Sequence, residues 1–445
     1  MSIAAVLDLQ DFSHRGLTRA VTAAIEAGLL REGERLPPIR SVAKELQLSP
    51  TTVSAAWSTL VRHGVIRTDG RRGTTVATPG THGPTRYRRA LESRAGFVWD
   101  VATGMPDPAL LPALDGALQR VPQESRQHSY LDDPVLPQLR EALRGSWPYD
   151  AEELTVTDGA MDAMDLICAV FLQPGDTVAV EHPCFPPLLD LLEACGIRTR
   201  GLAMDEQGLT VAAARGAVAA RVRAVFLQPR AHNPTGICMS GQRAVDLADV
   251  FADTQILIVE DDSAGDVASS PAVSLGRFIP QRVLHIRSFS KSHGPDLRLA
   301  AISGPSDRIA ALSERRLLGQ GWTSRLLQAV LVQLLCSDDT VATIDHARDE
   351  YARRRAAVVS GLADRGVPVI GTDGLNIWLP VQDEAASLVQ LAGRGIAAAA
   401  GSPFHVLPED AAHLRVTTGL VGSDHAQFVQ DLADAATALP WAGPR

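Results

Sequence analysis

Apolar positions along this chain follow two regimes. Over the first 78 residues they recur at helical spacing. Leu17, Val21, Ala24 and Ile25 precede Gly28, Val42, Ala43 and Leu46 share one face of RLPPIRSVAKELQL, and Val53, Ala56, Trp57 and Leu60 do the same in SPTTVSAAWSTLVRHG. Ser49 is placed to cap that third segment, with Pro50 at its first helical position and Gly64 closing it. VIRTDGRRGTTV then reads as two short strands about an Asp69–Gly70 turn. Three helices and a hairpin are expected.

Residues 79–96, PGTHGPTRYRRALESRAG, hold Pro, Gly, Thr and Arg without periodicity and read as a linker. From residue 97 onward the pattern changes to short, unbroken apolar runs: ELTVT, DTVAVE, RAVFLQ, ILIVED and RVLHIRS, alternating with helical stretches. A strand that is apolar on both sides must be covered on both sides, which predicts an α/β fold built on a mainly parallel sheet between helical layers. No internal repeat interrupts this order.

Composition sharpens the division. A chain of 445 residues is too long for one ordinary core. Its 45% apolar and 21% charged content is that of a soluble globular protein. No apolar stretch is long enough to cross a bilayer, and MSIAAVLDLQDFSHRG carries acids where a secretory signal would be apolar, so a cytoplasmic location with no membrane partner is expected. The five cysteines, at 168, 184, 195, 238 and 336, are scattered and form no C-x-x-C pair, so neither disulfides nor a metal site is expected. The net charge of −9 is unevenly spread: residues 1–90 hold 13 Lys+Arg against 7 Asp+Glu, a net +6, and the remainder holds 29 against 44, a net −15. A basic front suits a polyanionic partner.

Arginine outnumbers lysine 40 to two, Lys44 and Lys291. Guanidinium stays protonated at ordinary pH and cannot become the neutral amine that attacks an aldehyde. Lys291 is therefore a candidate for chemistry, and its surroundings support that reading. TVTDGAMDAMDL reads as strand, Gly159 turn and helix, which offers free amides and a positive helix end to a phosphate. VFLQPRAHNPTG carries Asn233, a donor for a phenolic oxygen, and ILIVEDD ends in Asp261 and Asp262, either of which could hold a pyridine nitrogen protonated. VLHIRSFSK ends in Lys291, and Arg298 follows as a phosphate clamp. Ligands of open α/β sheets bind beyond the carboxyl ends of the strands, where these groups would meet.

Over residues 97–445, TGMPDPALLP, SYLDDPVLPQLREAL, LQPGDTVAVEHPCFP, AHNPTG, IVEDD, SFSK with Arg298, and HLRVTTG resemble the fold type I aminotransferases, which use pyridoxal 5'-phosphate (PLP). The resemblance implies Lys291 as the Schiff-base and catalytic lysine, Asp261 at the pyridine nitrogen, Asn233 at the phenolic oxygen and Phe185 stacked on the ring. It implies Arg298, Ser288 and the loop of Gly159 and Ala160 around the phosphate, Tyr130 reaching the phosphate of a partner subunit, and Arg415 binding an α-carboxylate. Three positions depart from the family patterns. Ser263 and Ala264 stand where a tyrosine usually donates to the phenolic oxygen, and Val135 replaces an expected glycine.

Residues 10–78, through RLPPIRSVAKELQLSPTTVSAAWSTLVRHGVIRTDGRRGTTV, resemble the winged helix-turn-helix of the GntR family. The third helix would offer Ser49, Thr51, Thr52 and Ser54 to a major groove, with Arg40 on a phosphate and Arg71 and Arg72 on the wing. A further departure is here: Pro50 takes the place where such helices often carry arginine. A winged helix over 1–78, a linker over 79–96 and an aminotransferase-like domain over 97–445 together resemble the MocR subgroup of GntR regulators. That resemblance implies a homodimer that binds an operator in double-stranded DNA and senses an amino acid, another amino compound or PLP at Lys291. An active aminotransferase is the alternative, and a cofactor-free scaffold a third reading.

Overall fold

The computed structural model describes residues 3, 6, 7, 9, 11–31, 33–62, 65–69, 73–76, 97–121, 129, 132–408, 411–422 and 425–439. The chain divides into two compact units, Met1–Arg89 and Ala90–Arg445, so the division falls inside the segment read as a linker.

In the first unit, α1 (His14–Glu26) starts at Ser13, whose hydroxyl accepts from Gly16 N. α2 (Ile39–Glu45) and α3 (Pro50–Arg62) follow. The apolar faces close on one core containing Leu17, Val21, Val42, Val53, Trp57 and Leu60. Ser49 Oγ accepts from Thr52 N at 3.0 Å, which satisfies one of the free amides at the start of α3. The hairpin gains a third strand, since β1 (Arg35–Leu36) pairs with β3 (Gly73–Val76), which also pairs with β2 (Ile66–Asp69). A two-residue strand leaves no readable alternation in a sequence. The register sets Asp69 opposite Gly73, so the connection is residues 70–72 and not a two-residue turn at Asp69–Gly70. That connection, with Arg71 and Arg72, lies outside the described residues, as does Gly64.

The second unit is an α/β structure. A short parallel pair joins β4 (Trp99–Asp100) to β14 (Ile396–Ala397). The main sheet uses β5 (Glu153–Thr157), β6 (Thr177–His182), β7 (Arg198–Asp205), β8 (Gly208–Leu209), β9 (Ala224–Leu227), β10 (Leu257–Asp262), β11 (Val283–Ser288) and β12 (Ala300–Gly304), in the order β5-β12-β11-β10-β9-β6-β7-β8. All five apolar runs are strands, and β6, β7, β9, β10 and β11 are parallel. Their double-sided apolarity has the expected cause. Val259 and Phe226 pack on the helices Ala160–Phe171 and Pro186–Ala194, while Ile258 and Val225 pack on the helices Val211–Ala219 and Gly241–Phe251. β12 runs antiparallel between β11 and β5. A smaller antiparallel sheet, β13 (Asn376–Val381), β16 (Ala412–Thr417) and β15 (Ala399–Ala400), buries Ile377, Leu379, Leu414 and Val416 against Val358, Leu391 and Leu432 from three helices. Val135 is itself a core residue, 1% exposed.

Candidate functional site

Parallel strands carry their following loops to one edge of the sheet. β6 therefore leads to Phe185, β9 to Asn233, β10 ends in Asp261 and Asp262, and β11 leads from Ser288 to Lys291 at a common edge. Side chains alternate along β10, which sends its two aspartates to opposite faces. Asp262 meets Arg230 through paired contacts of 2.9 and 2.7 Å, and although burial pushes it up, that guanidinium holds its carboxyl below the usual range. Asp261 lines a small cavity of about 20 Å³ with Phe185, Gln228 and His232. Its Oδ2 accepts from Gln228 Nε2 at 2.6 Å, and its buried Oδ1 has no hydrogen-bond partner among the described residues. Burial pushes Asp261 up to about 6, against the pull of the Gln228 hydrogen bond. The sequence left both aspartates open for a pyridine nitrogen, but Arg230 occupies Asp262.

Gln228 was not anticipated. Its Oε1 accepts from Asn233 N at 2.8 Å, and its backbone N–H donates to buried Glu181 at 2.7 Å. Beyond Asn233 the polar chain continues: Asn376 Nδ2 donates to Asn233 Oδ1 at 3.4 Å, Thr417 Oγ1 donates to Asn376 Oδ1 at 3.0 Å, and Gly104 N donates to Thr417 Oγ1 at 3.0 Å. A polar residue at the carboxyl end of a buried apolar strand was the available signal for Gln228. Asn376 and Thr417 lie on strands of the smaller sheet, more than 140 residues from Asn233, and had no local signal.

Lys291 Nζ donates to the carbonyl of Gly104, and Arg415 donates to the carbonyl of Ala102. Arg415 is 1% exposed, with its guanidinium 5.4 Å from the ring centre of Phe404. The Lys291 ammonium is lowered to about 8, by burial first and by the charge of Arg415 next, with Asp261 opposing both. A lysine so placed is neutral to a useful extent near neutral pH.

The helix Ala160–Phe171 begins at Gly159, which has φ +99° and provides no side-chain cap. A Cβ on Gly159 would lie 2.8 Å from Arg298 Nη2, so this glycine lets the guanidinium close over the free amides of the helix start. Arg298 itself has φ +48°, a left-handed backbone that a non-glycine residue holds only when its surroundings impose it. Buried Arg316 braces the same loop through Asp162 at 2.7 Å and Asp158 at 3.2 Å. Ser288 is buried at the end of β11, where its hydroxyl accepts from Ser290 N at 3.3 Å. Ser263 stands 3.4 Å from Gln228 Nε2 and Ala264 packs on Ala231 and Ala268. Tyr149 bonds to Ser303 and Tyr351 to Asp107 N, so neither described tyrosine hydroxyl is at the site, and Tyr130 lies outside the described residues.

In the first unit, Ser49 is exposed just before α3, Thr51 and Ser54 are exposed on it, Thr52 is half-buried, and Arg40 is exposed at the start of α2. The Ser49 hydroxyl lies 2.7 Å from that of Thr51 and 2.8 Å from that of Thr52, so these three form one hydroxyl cluster. Among the described residues there is no cluster of metal-ligating side chains, and no single helix is long and apolar enough to cross a membrane.

Residues 100–431 match the family model described as aminotransferase class I and II, and residues 15–76 match that of bacterial regulatory proteins, gntR family. The vitamin B6 salvage pathway transcriptional repressor PtsJ of Salmonella typhimurium is 35% identical over 390 residues, covering 86% of this chain and 89% of that one. The HTH-type transcriptional regulator TauR of Rhodobacter capsulatus is 28% identical over 408 residues, covering 82% and 83%. Among solved structures, the kynurenine aminotransferase of Pyrococcus horikoshii superposes with a TM-score of 0.69 at 22% identity, covering 78% of this chain and 91% of that one, a likeness of fold alone.

Proposed function

We propose, from the premise that this chain belongs to the MocR subgroup of the GntR family of transcription regulators, that its larger unit holds PLP at Lys291 and sets how its winged helix binds DNA. The observation that carries this reading is that adjacent parallel strands bring the lone lysine of the larger unit and a buried carboxylate, whose Oδ1 has no partner among the described residues, to the same edge of the sheet.

The residues present fit the cofactor. Asp261 Oδ1 is an unmet acceptor for a protonated pyridine nitrogen, Phe185 faces the same cavity, and Asn233 is tied to the same network. Arg298, Ser288 and the amides of Gly159 and Ala160 would hold a phosphate, and only glycine at 159 leaves room for Arg298 there. Tyr130 would reach the phosphate of a partner subunit in a homodimer. When bound, PLP supplies an aldehyde that joins amines reversibly and a ring that withdraws electrons. Asp261 would keep the ring nitrogen charged, Lys291 Nζ would serve as attachment point and proton carrier, and Arg415 would take the carboxylate of an amino acid.

At the DNA, α3 would present Thr51, Thr52 and Ser54 to the major groove, with Ser49 at its cap. Arg40 and the wing arginines Arg71 and Arg72 would meet phosphates. The signal would be an amino compound or PLP itself, and the B6 salvage role in the name of the PtsJ repressor favours PLP. The absorption spectrum tests the cofactor: a band near the visible edge should survive dialysis and vanish in Lys291→Ala. Its absence from the unsubstituted protein would refute the reading.

A second reading, an active aminotransferase, is favoured by Lys291 lowered to about 8 beside Arg415. Ser263 and Ala264 in the tyrosine positions argue against fast turnover. Rapid-mixing spectra with a panel of amino acids separate the two, because a transaminase must convert its bound cofactor to the amine form.

A further inference from the structure

At the opposite, amino-terminal edge of the main sheet, arginines collect where several strands begin. Arg198 opens β7, Arg221 and Arg223 precede β9, Arg282 precedes β11, and Arg308 lies on the helix Ser306–Leu317. Arg198, Arg221 and Arg223 line an open cleft of about 660 Å³ whose one acidic lining residue is Asp176. Arg198 Nη2 donates to Gly175 O at 2.8 Å, Arg282 Nη1 to Gln255 Oε1 at 2.8 Å and Arg308 Nη1 to Arg282 O at 3.3 Å. These neutral acceptors orient the guanidinium groups without cancelling their charge. None of the five is ion-paired with a carboxylate among the described residues, whereas Arg230, Arg243, Arg316 and Arg354 all are. Burial lowers Arg308, Asp307 opposes it, and the neighbouring charges of Arg282 and Arg223 lower it further, so these three share one positive field, which Arg223 joins to Arg198 and Arg221 around the cleft.

Such a field is out of keeping with a segment that carries a net −15 after residue 90. Its extent selects the ligand. From β7 across β6, β9 and β10 to β11 is four strand spacings, about 19 Å at about 4.8 Å each. One small phosphate ester cannot meet both ends of such a row. A nucleic-acid strand, with a phosphate about every 3.4 Å of duplex axis, can. The guanidinium fork also matches phosphate oxygens in pairs.

We propose that this arginine edge is a second DNA contact, taking the sugar–phosphate backbone of duplex that flanks the sequence held by the winged helix. The proposal rests on the winged helix being the primary DNA contact. It reads no bases, and it gives the larger unit a direct hold on DNA.

The test uses the full chain and two duplexes from the DNA upstream of its own gene, one of about 20 bp and one extended on both flanks to about 60 bp. In the variant Arg198→Gln/Arg221→Gln/Arg223→Gln, affinity for the long duplex should fall about tenfold or more, and the slope of log affinity against log salt should shrink by about 2 to 3, near 0.9 per lost phosphate contact. Affinity for the short duplex and the absorption spectrum should stay as in the unsubstituted protein. Arg→Lys at the same three positions should restore most of the slope. An unchanged slope on the long duplex overturns the proposal while leaving the winged-helix reading intact, even if the cleft takes up inorganic phosphate. Failure of the unsubstituted protein to bind either duplex overturns both.

Discussion

Gln228 Nε2 donates to Asp261 Oδ2 at 2.6 Å, and Gln228 Oε1 accepts from Asn233 N at 2.8 Å. The second bond decides the orientation of the amide, since a flipped Gln228 would oppose its N–H groups to a backbone N–H and its oxygen to a carboxylate. Gln228 therefore favours the charged form of Asp261, which burial otherwise disfavours. Gln228→Leu should weaken PLP binding about tenfold, the equivalent of about 1.4 kcal/mol, read by fluorescence titration of the dialysed protein. An affinity equal to that of the unsubstituted chain would show that Asp261 needs no such support.

The lowered pKa of Lys291 makes cofactor attachment pH-dependent in a stated direction. The ammonium loses its proton near 8, so the rate at which added PLP attaches should rise with pH through about 8 and then level. Lys291→Arg, charged throughout, should attach none at any pH. Stopped-flow absorbance over a pH series measures both.

Gly159→Ala places a methyl group 2.8 Å from Arg298 Nη2 at a residue with φ +99°. Strain and displacement of Arg298 should act together, with about 1–2 kcal/mol lost in stability and a larger proportional loss in PLP affinity. Thermal melts with and without PLP separate the two effects, because the stabilisation by added PLP should shrink as well as the melting temperature.

In the first unit, Arg40→Gln removes one exposed cation at the start of α2. DNA affinity should fall on all sequences alike, and the salt slope should drop by about 0.9. Ser49→Ala removes the cap of α3 and should cost about 1 kcal/mol of stability. Filter binding over a salt series and urea unfolding check the pair.

The central fold was legible because its strands are apolar on both faces: ELTVT, DTVAVE, RAVFLQ, ILIVED and RVLHIRS all form strands of one sheet. β7 was not, since most of its residues are exposed or half-buried and carry no unbroken apolar run. β12, AAISG, is short and rich in alanine, a composition that suits helix as well as strand. At the site, Lys291 could be picked out because lysine is so rare here, but the choice between Asp261 and Asp262 on the residues alone could not. That choice depends on Arg230, about 30 positions earlier, and on the strand alternation that turns the two carboxylates apart. Asn376 and Thr417 were invisible for the same reason, because only tertiary folding brings β13 and β16 to Asn233.

On the proposed function, the state of Lys291 reaches the DNA. The most direct test of this is the affinity of PLP-free protein for the DNA upstream of its own gene, measured before and after PLP is added, in the unsubstituted chain and in Lys291→Ala. Adding PLP should change affinity or salt slope in the unsubstituted chain and leave both unchanged in Lys291→Ala. Equal binding with and without PLP while the spectrum shows the cofactor attached, or the same change in both proteins, would contradict it.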